Sequence, residues 1–312
     1  MALPTYASPL ERLWHYAYLV ICCAIFVFLV APVLVVLPLS FNAEPYFTFT
    51  EKMLSLDPTG YSLRWYDMLL TNGMLAPEVP REGVWWTDMW NNATWVKAAK
   101  NSVIIGFWAT VLATFLGTLA ALGLSRPEMP FRRVIMAILI SPMIVPIIII
   151  ATGLFFFYSS PCGLIGLHCG RLTATYVGII LAHATLGIPF VIITVTATLS
   201  GFDQSLIRAS ASLGANPRTT FFKVIMPLIL PGVISGALFA FVTSFDEVVA
   251  VLFIAGPEQQ TIPRQMWNGI REAISPAILA VATILVFFSI ALLATVELLR
   301  RRSERLRGVT PQ

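Results

Sequence analysis

The chain has 312 residues, 57% of them hydrophobic and 12% charged, with a mean hydropathy of +0.81. A soluble domain carries about 25% charged residues, so a water-soluble globule is excluded and the composition fits a chain whose solvent is lipid. The formal charge of +4 points to no nucleic-acid partner, because the basic residues form no stripe with interleaved aromatics.

Taken in chain order, six runs nearly free of charge are long enough to cross a bilayer, which takes about 20 helical residues. They are Tyr16–Ser40, Asn101–Leu124, Val134–Tyr158, Thr173–Leu199, Leu228–Ile254 and Pro276–Leu299. Each is predicted helical, since a lone strand would leave its amides unpaired in hydrocarbon. The expected fold is all-α, a polytopic membrane protein with six transmembrane helices: a tail over 1–15, a transmembrane domain over 16–299 and a tail over 300–312. The first run outlasts a signal-peptide core and no small-residue cleavage site follows it, so it is expected to be retained. Cys22 and Cys23 sit inside it as small apolar thiols. Pro142, Pro146 and Pro189 are expected to kink their helices.

The connectors alternate in character. Those after the second, fourth and sixth runs, with Arg12, hold twelve of the twenty basic residues. By the positive-inside rule both termini are cytoplasmic, and Arg300–Arg302 anchors the last helix at the anionic inner leaflet. The long connector from Phe41 to about Lys100 is then outside. Its Trp85, Trp86, Trp90 and Trp95 form either an interfacial belt or a small packed cap. Cys162 and Cys169 also fall outside, where an oxidising compartment permits a disulfide; two free thiols are the alternative.

The connector between the fourth and fifth runs, about 200–227, is different. Ser205 to Leu213 reads as a short helix, and Gly214 can take the left-handed conformation that ends one. Asn216-Pro217 reads as a fresh start, with Asn as cap and Pro at the first position. Ala209, Ser210, Ala211 and Ser212 give a low surface onto which another protein can dock. Leu213, Phe221 and Phe222 either anchor that partner or pack against the inner ends of the bundle.

These residues resemble the coupling motif of ABC-importer permeases of the binding-protein-dependent class: Glu-Ala-Ala, three variable residues, Gly, nine variable residues, Ile-x-Leu-Pro. Gly214, Val224, Met226 and Pro227 take the places of the Gly, Ile, Leu and Pro, and Ala209 keeps the first alanine. Arg208 replaces the acid and Ser210 the second alanine, which puts in doubt any family-typical charge contact there. Ser244-Phe-Asp-Glu-Val-Val, Ala255-Gly-Pro-Glu, Ile262-Pro-Arg-Gln-Met-Trp267 and Tyr61-Ser-Leu-Arg-Trp-Tyr66 look like permeases of spermidine/putrescine-type importers. The resemblance covers about Tyr16 to Leu299, with Thr71–Trp95 as an insertion. It implies the type I importer permease fold in a bacterial inner membrane. It also implies a second, similar permease, a pair of cytoplasmic ATP-binding cassette subunits, and an extracytoplasmic substrate-binding protein. The ATPase would grip Arg208, Ala209, Ser210, Ser212, Leu213, Gly214, Ala215, Pro217, Phe221, Phe222 and Pro227.

The chain has no Gly-x-x-x-x-Gly-Lys-Ser/Thr loop, so it is expected to be no enzyme, with ATP and Mg bound by the partner ATPase and no cofactor or metal of its own. Asp246 and Glu247 are the candidates for contact with cargo, about 12 Å deep in the fifth span. An intramembrane carboxylate faces a cavity or a partner. On a continuous helix the two would point about 100° apart, leaving open which of them lines a path for a cation such as a polyamine and whether they are instead a structural pair. His183 is read as a hydrogen-bonded packing residue or, alternatively, a path residue. The rival functions are a permease for amino-acid-like or other small solutes, a scaffold, and an ion-driven transporter with Asp246, Glu247 and His183 as a proton relay. No internal repeat supports the last of these.

Overall fold

A computed structural model describes residues 8–126, 128–160, 171–201, 203, 205–272 and 274–306. Among these residues there is no strand. The helices are α1 Pro9–Leu39, α2 Glu51–Leu54, α3 Arg64–Thr71, α4 Gly83–Asn92, α5 Thr94–Leu124, α6 Arg132–Ile144 and α7 Ile147–Ser159. They continue as α8 Tyr176–Ser200, α9 Ser205–Ser212, α10 Pro217–Thr220, α11 Met226–Phe245, α12 Val249–Ile254, α13 Ile262–Glu272 and α14 Ala277–Leu306.

Five helical stretches are long and apolar enough to cross a membrane, and a sixth span is the pair α6 and α7, bent by 102°. The six expected spans are therefore present, but two are broken. The third divides at Val145-Pro146: Val145 is extended (φ −72°, ψ 135°), as a residue before proline is driven to be. Pro142 and Pro189 lie inside helices, so of the three prolines only Pro146 stands at a break. The fifth span divides between Phe245 and Val249.

Helix starts differ too. α1 begins at Pro9, seven residues before the expected span, because Ser8 and Glu11 form a reciprocal capping box: the Ser8 N–H donates to Glu11 Oε2 at 2.8 Å and the Glu11 N–H donates to Ser8 Oγ at 3.3 Å. Pro at the first position suits that start. α14 runs on to Leu306, through the start of the expected tail.

The chain divides into two compact units. In the first, 1–71 with 269–312, α14 packs on α1 and α3. Apart from Leu39, α1 has no buried residue, leaving a long apolar rod for lipid or another subunit. In the connector that follows α1 in this unit, Trp65 Nε1 donates to the Asn42 carbonyl at 2.7 Å and Asn42 Nδ2 donates to the carbonyls of Tyr46 and Thr48.

The second unit, 72–268, is built on α5, α8 and α11. One core cluster joins Ala113, Ala121, Ala184, Val191, Val195, Ile229 and Ala240. Its alanines and glycines let the backbones approach closely. A Cβ added at Gly236 would lie 2.8 Å from Val191 Cα and 2.5 Å from Thr194 Oγ1, and one at Gly187 would lie 3.0 Å from Ala240 Cβ. Gly232, Gly236, Ala240 and Ser244, each four residues apart, thus form one face of α11 against α8.

The segment 72–95 folds within this unit. The Thr94 N–H donates to the Asn72 carbonyl at 2.8 Å and closes the segment at its base. Asp88 accepts the N–H of Leu75 and of Ala76 and the Asn92 side chain, which holds its carboxyl below the usual range, the Asn92 bond contributing most. Trp85 and Trp95 are buried while Trp86 and Trp90 are exposed.

Candidate functional site

The connector between α8 and α11 forms the helix, glycine, helix shape. Asp203 opens α9 by accepting the N–H and hydroxyl of Ser205 at 2.8 and 2.6 Å, and its carboxyl is held below the usual range by the Ser205 side chain and then its backbone. At the other end the Ala215 N–H donates to the Ser210 carbonyl and the Gly214 N–H to that of Ala211, at 3.1 and 3.0 Å. With Gly214 at φ +78°, this is a complete Schellman stop. Asn216 Oδ1 then accepts the Thr219 N–H at 2.8 Å, with Pro217 at the first position of α10. A π-helical turn, Phe221–Ile225, feeds α11.

This backbone sorts the candidate residues. Leu213 is 88% and Phe222 66% exposed; neither packs into the bundle. Arg208, Ala209, Ser212, Gly214 and Pro217 share their exposure, as does Pro227 at the base of α11. Ser210 is buried, its hydroxyl 2.7 Å from that of Thr220, so it joins the two arms and adds nothing to the outer surface. Ala215 and Phe221 are half-buried and line, with Leu122, Leu199 and Ile225, a cavity of about 560 Å³ behind the loop.

Within the membrane region the acid pair sits at a helix break, so the expected divergence on one continuous helix is replaced by a sharper separation. Asp246 is the C-terminal cap of α11 and is exposed. Glu247 is buried, and its Oε1 accepts the Ala250 N–H at 2.9 Å. A carboxylate there satisfies an amide that the first turn of α12 leaves open and meets the positive end of its dipole. His183 of α8 is 1% exposed, with Nδ1 2.7 Å from Ser244 Oγ. No group of three or more His, Cys, Asp or Glu able to hold a metal occurs among the described residues. Cys162 and Cys169 lie outside the described residues.

Asn101, Tyr176 and Arg264, to which the sequence assigned no role of their own, shape the end of the unit at the head of α5. Asn101 Nδ2 donates to the carbonyls of Glu258 and Gln260 at 2.8 and 2.9 Å, and Asn101 Oδ1 accepts the Tyr176 hydroxyl at 2.8 Å. Arg264 Nη1 donates to the carbonyls of Val251 and Ala255, both at 2.9 Å, closing the last turn of α12. The available signal was an asparagine at the head of an apolar run and an arginine following Ile262-Pro263 outside any basic cluster.

Residues 113–305 match the sequence profile of the binding-protein-dependent transport system inner membrane component. The chain is 29% identical over 279 residues to the spermidine/putrescine transport system permease protein PotC of Haemophilus influenzae, covering 89% of this chain and 94% of that one. It is 30% identical over 288 residues to the putrescine transport system permease protein PotI of Escherichia coli K12, covering 91% and 88%. Among solved structures, that of a bacterial ABC transporter involved in the import of the acidic polysaccharide alginate shares its fold, with a TM-score of 0.64 at 15% identity over 96% of this chain and 99% of that one. The profile spans more than half the chain and the relatives nearly all of it, and the chain therefore belongs to the family of binding-protein-dependent transport system inner membrane components.

Proposed function

We propose that this permease forms half of the translocation path of an ATP-driven importer for a small organic cation, a polyamine of the spermidine or putrescine kind. The second half is a similar permease, the motor is a pair of cytoplasmic ATP-binding cassette subunits that hold ATP and Mg, and an extracytoplasmic binding protein delivers the cargo. Both termini lie in the cytoplasm, as the distribution of basic residues supports.

The observation that carries the reading is the loop at Gly214. A Schellman stop and a new helix cap hold Leu213 and Phe222 out in water, where large apolar side chains have no stabilising role unless a partner covers them. Closure of the ATPase pair on ATP would push this loop, and α9 and α10 would pass the stroke through the turn at Phe221–Ile225 into α11. Such rigid-body rocking alternates access to the path. The names of the relatives support the substrate class, and so does Asp246: an exposed carboxylate at a break within a span attracts a cation far more strongly where the dielectric is low.

The test is purification of the chain with its neighbouring ATPase and binding protein, followed by uptake of radiolabelled spermidine into proteoliposomes. Uptake that needs internal ATP and the binding protein supports the reading. Uptake driven by a proton gradient without ATP would replace it with a secondary transporter, and ATP-driven uptake of neutral amino acids but not polyamines would replace the substrate.

A further inference from the structure

His183 is a buried titratable side chain within the spans, 1% exposed, for which the importer mechanism has so far had no use. It stands at the outer end of the tight α8–α11 seam. Along α11 the seam runs Gly232, Gly236, Ala240, Ser244. Opposite these on α8 stand Thr198, Thr194, Val191, Gly187 and His183. The backbones approach so closely that a Cβ at Gly232 would lie 2.9 Å from the Thr194 carbonyl oxygen. The two helices are therefore pressed together over this length, which suits them to move as one body.

The final contact differs in kind from the rest. His183 to Ser244 is the only side-chain hydrogen bond between α8 and α11 among the described residues. The other ring nitrogen, Nε2, is buried without a partner. An apolar side chain of the same shape would fill the seam without leaving a buried nitrogen unpaired. What the imidazole adds is a directional bond, and it falls on Ser244, two residues before Asp246 and the break. Beyond the break, Glu247 fixes the start of α12 through Ala250. Asp246 is thus clamped from both sides.

We propose that His183 is a positioning residue for transport: through Ser244 it fixes the outer end of α11, so that the break presents the Asp246 carboxylate to the path. This rests on the reading that Asp246 lines that path.

The test uses the assembled transporter in proteoliposomes, with Asp246→Cys in a background whose native cysteines are serine. The rate of Cys modification by a cationic methanethiosulfonate reports placement without reference to transport. Ser244→Ala, the smaller change, and His183→Leu each shift that rate about threefold or more, the range expected for one lost hydrogen bond. His183→Asn, which keeps a polar atom where Nδ1 stands, restores it. Unchanged rates in both Ser244→Ala and His183→Leu overturn the proposal. With Asp246 intact, the same two variants raise the apparent KM for spermidine by about threefold or more at unchanged ATP hydrolysis, and add nothing in an Asp246→Asn background. A full additive rise in that background also overturns the proposal. If the modification rates shift as expected while Asp246→Asn leaves uptake untouched, the placement stands and the path reading falls.

Discussion

The hydroxyls of Ser210 and Thr220 lie 2.7 Å apart, both buried, and close the two arms of the loop at Gly214 on each other. Ser210 occupies the place of the second alanine in the family motif, so this chain has a hydroxyl where that motif has a methyl group. Ser210→Ala leaves the Thr220 hydroxyl buried without its partner, at a cost of about 1–3 kcal/mol. Removing both hydroxyls with Ser210→Ala and Thr220→Val costs less than the sum of the single changes, because neither group is then left unpaired. Thermal unfolding of the purified protein in a double-mutant cycle measures the difference. Strict additivity would show that the two hydroxyls do not interact.

Leu213 and Phe222 are exposed, so charge at either position has little effect on the isolated chain. Leu213→Glu and Phe222→Glu are expected to change stability by no more than about 0.5 kcal/mol. If the ATPase covers them, each loses about tenfold or more of ATPase retention on an affinity column, as fully covered apolar anchors do. Retention equal to wild type would remove this face from the docking surface.

Gly214 separates backbone strain from crowding. Its φ is +78°, and a Cβ added there would meet nothing within 4 Å. The cost of Gly214→Ala is therefore conformational alone, about 1–2 kcal/mol. Gly214→Asn costs less, since asparagine tolerates the left-handed region. Equal losses for Ala and Asn would mean that the surface, and not the turn, requires glycine.

What the sequence made legible follows its periodicities and its turn chemistry. Six apolar runs and the Gly214, Asn216-Pro217 punctuation were readable because each is a local signal with one dominant physical cause. The break at Asp246 was not. Asp246 and Glu247 lie in an otherwise apolar run from Leu228 to Ile254, and nothing in that run announces that Glu247 turns back to cap Ala250. The separation of an exposed Asp246 from a buried Glu247 is a tertiary outcome. The same holds for His183, whose partner lies 61 residues away. The early start of α1 is written in Ser8 and Glu11, whose capping box leaves no trace in hydropathy, which registers apolar length and not caps.

The segment closed by Asn72 and Thr94 has a pH dependence of known sign. Asp88 is held below its ordinary value of 3.8, first by Asn92 and then by the Ala76 N–H. A group whose folded pKa is depressed stabilises fully above the unfolded value and loses that contribution as the pH falls through the folded one. Protease cleavage of the 72–93 segment in right-side-out vesicles should therefore be flat from about pH 7 to 5 and rise only below about pH 4. Asp88→Ala should raise cleavage already at neutral pH, because it removes the acceptor for Leu75, Ala76 and Asn92. A segment as resistant in that variant as in the wild type would show that closure at Asn72 and Thr94 suffices.

The α8–α11 seam predicts opposite outcomes for one chemical change at two helical glycines. At Gly236 a Cβ would lie 2.8 Å from Val191 Cα, a backbone atom that cannot rotate away, so Gly236→Ala forces the helices apart. Overpacking of that kind costs about 1–3 kcal/mol. At Gly153, inside α7, nothing lies within 4 Å of the added atom, and Gly153→Ala gains about 0.5–1 kcal/mol from the stiffer unfolded backbone. The transport readout should divide the same way. On the proposed mechanism, in which the loop's stroke passes along this seam toward Asp246, the alanine variant of Gly236 should lower uptake per ATP hydrolysed, while Gly153→Ala leaves that ratio unchanged. Side-by-side thermal unfolding and coupled uptake in one membrane preparation measure both. Equal tolerance at the two positions would mean that α8 and α11 are not pressed together as the Gly236 to Val191 approach requires, and the account of them as one moving body would have to be given up.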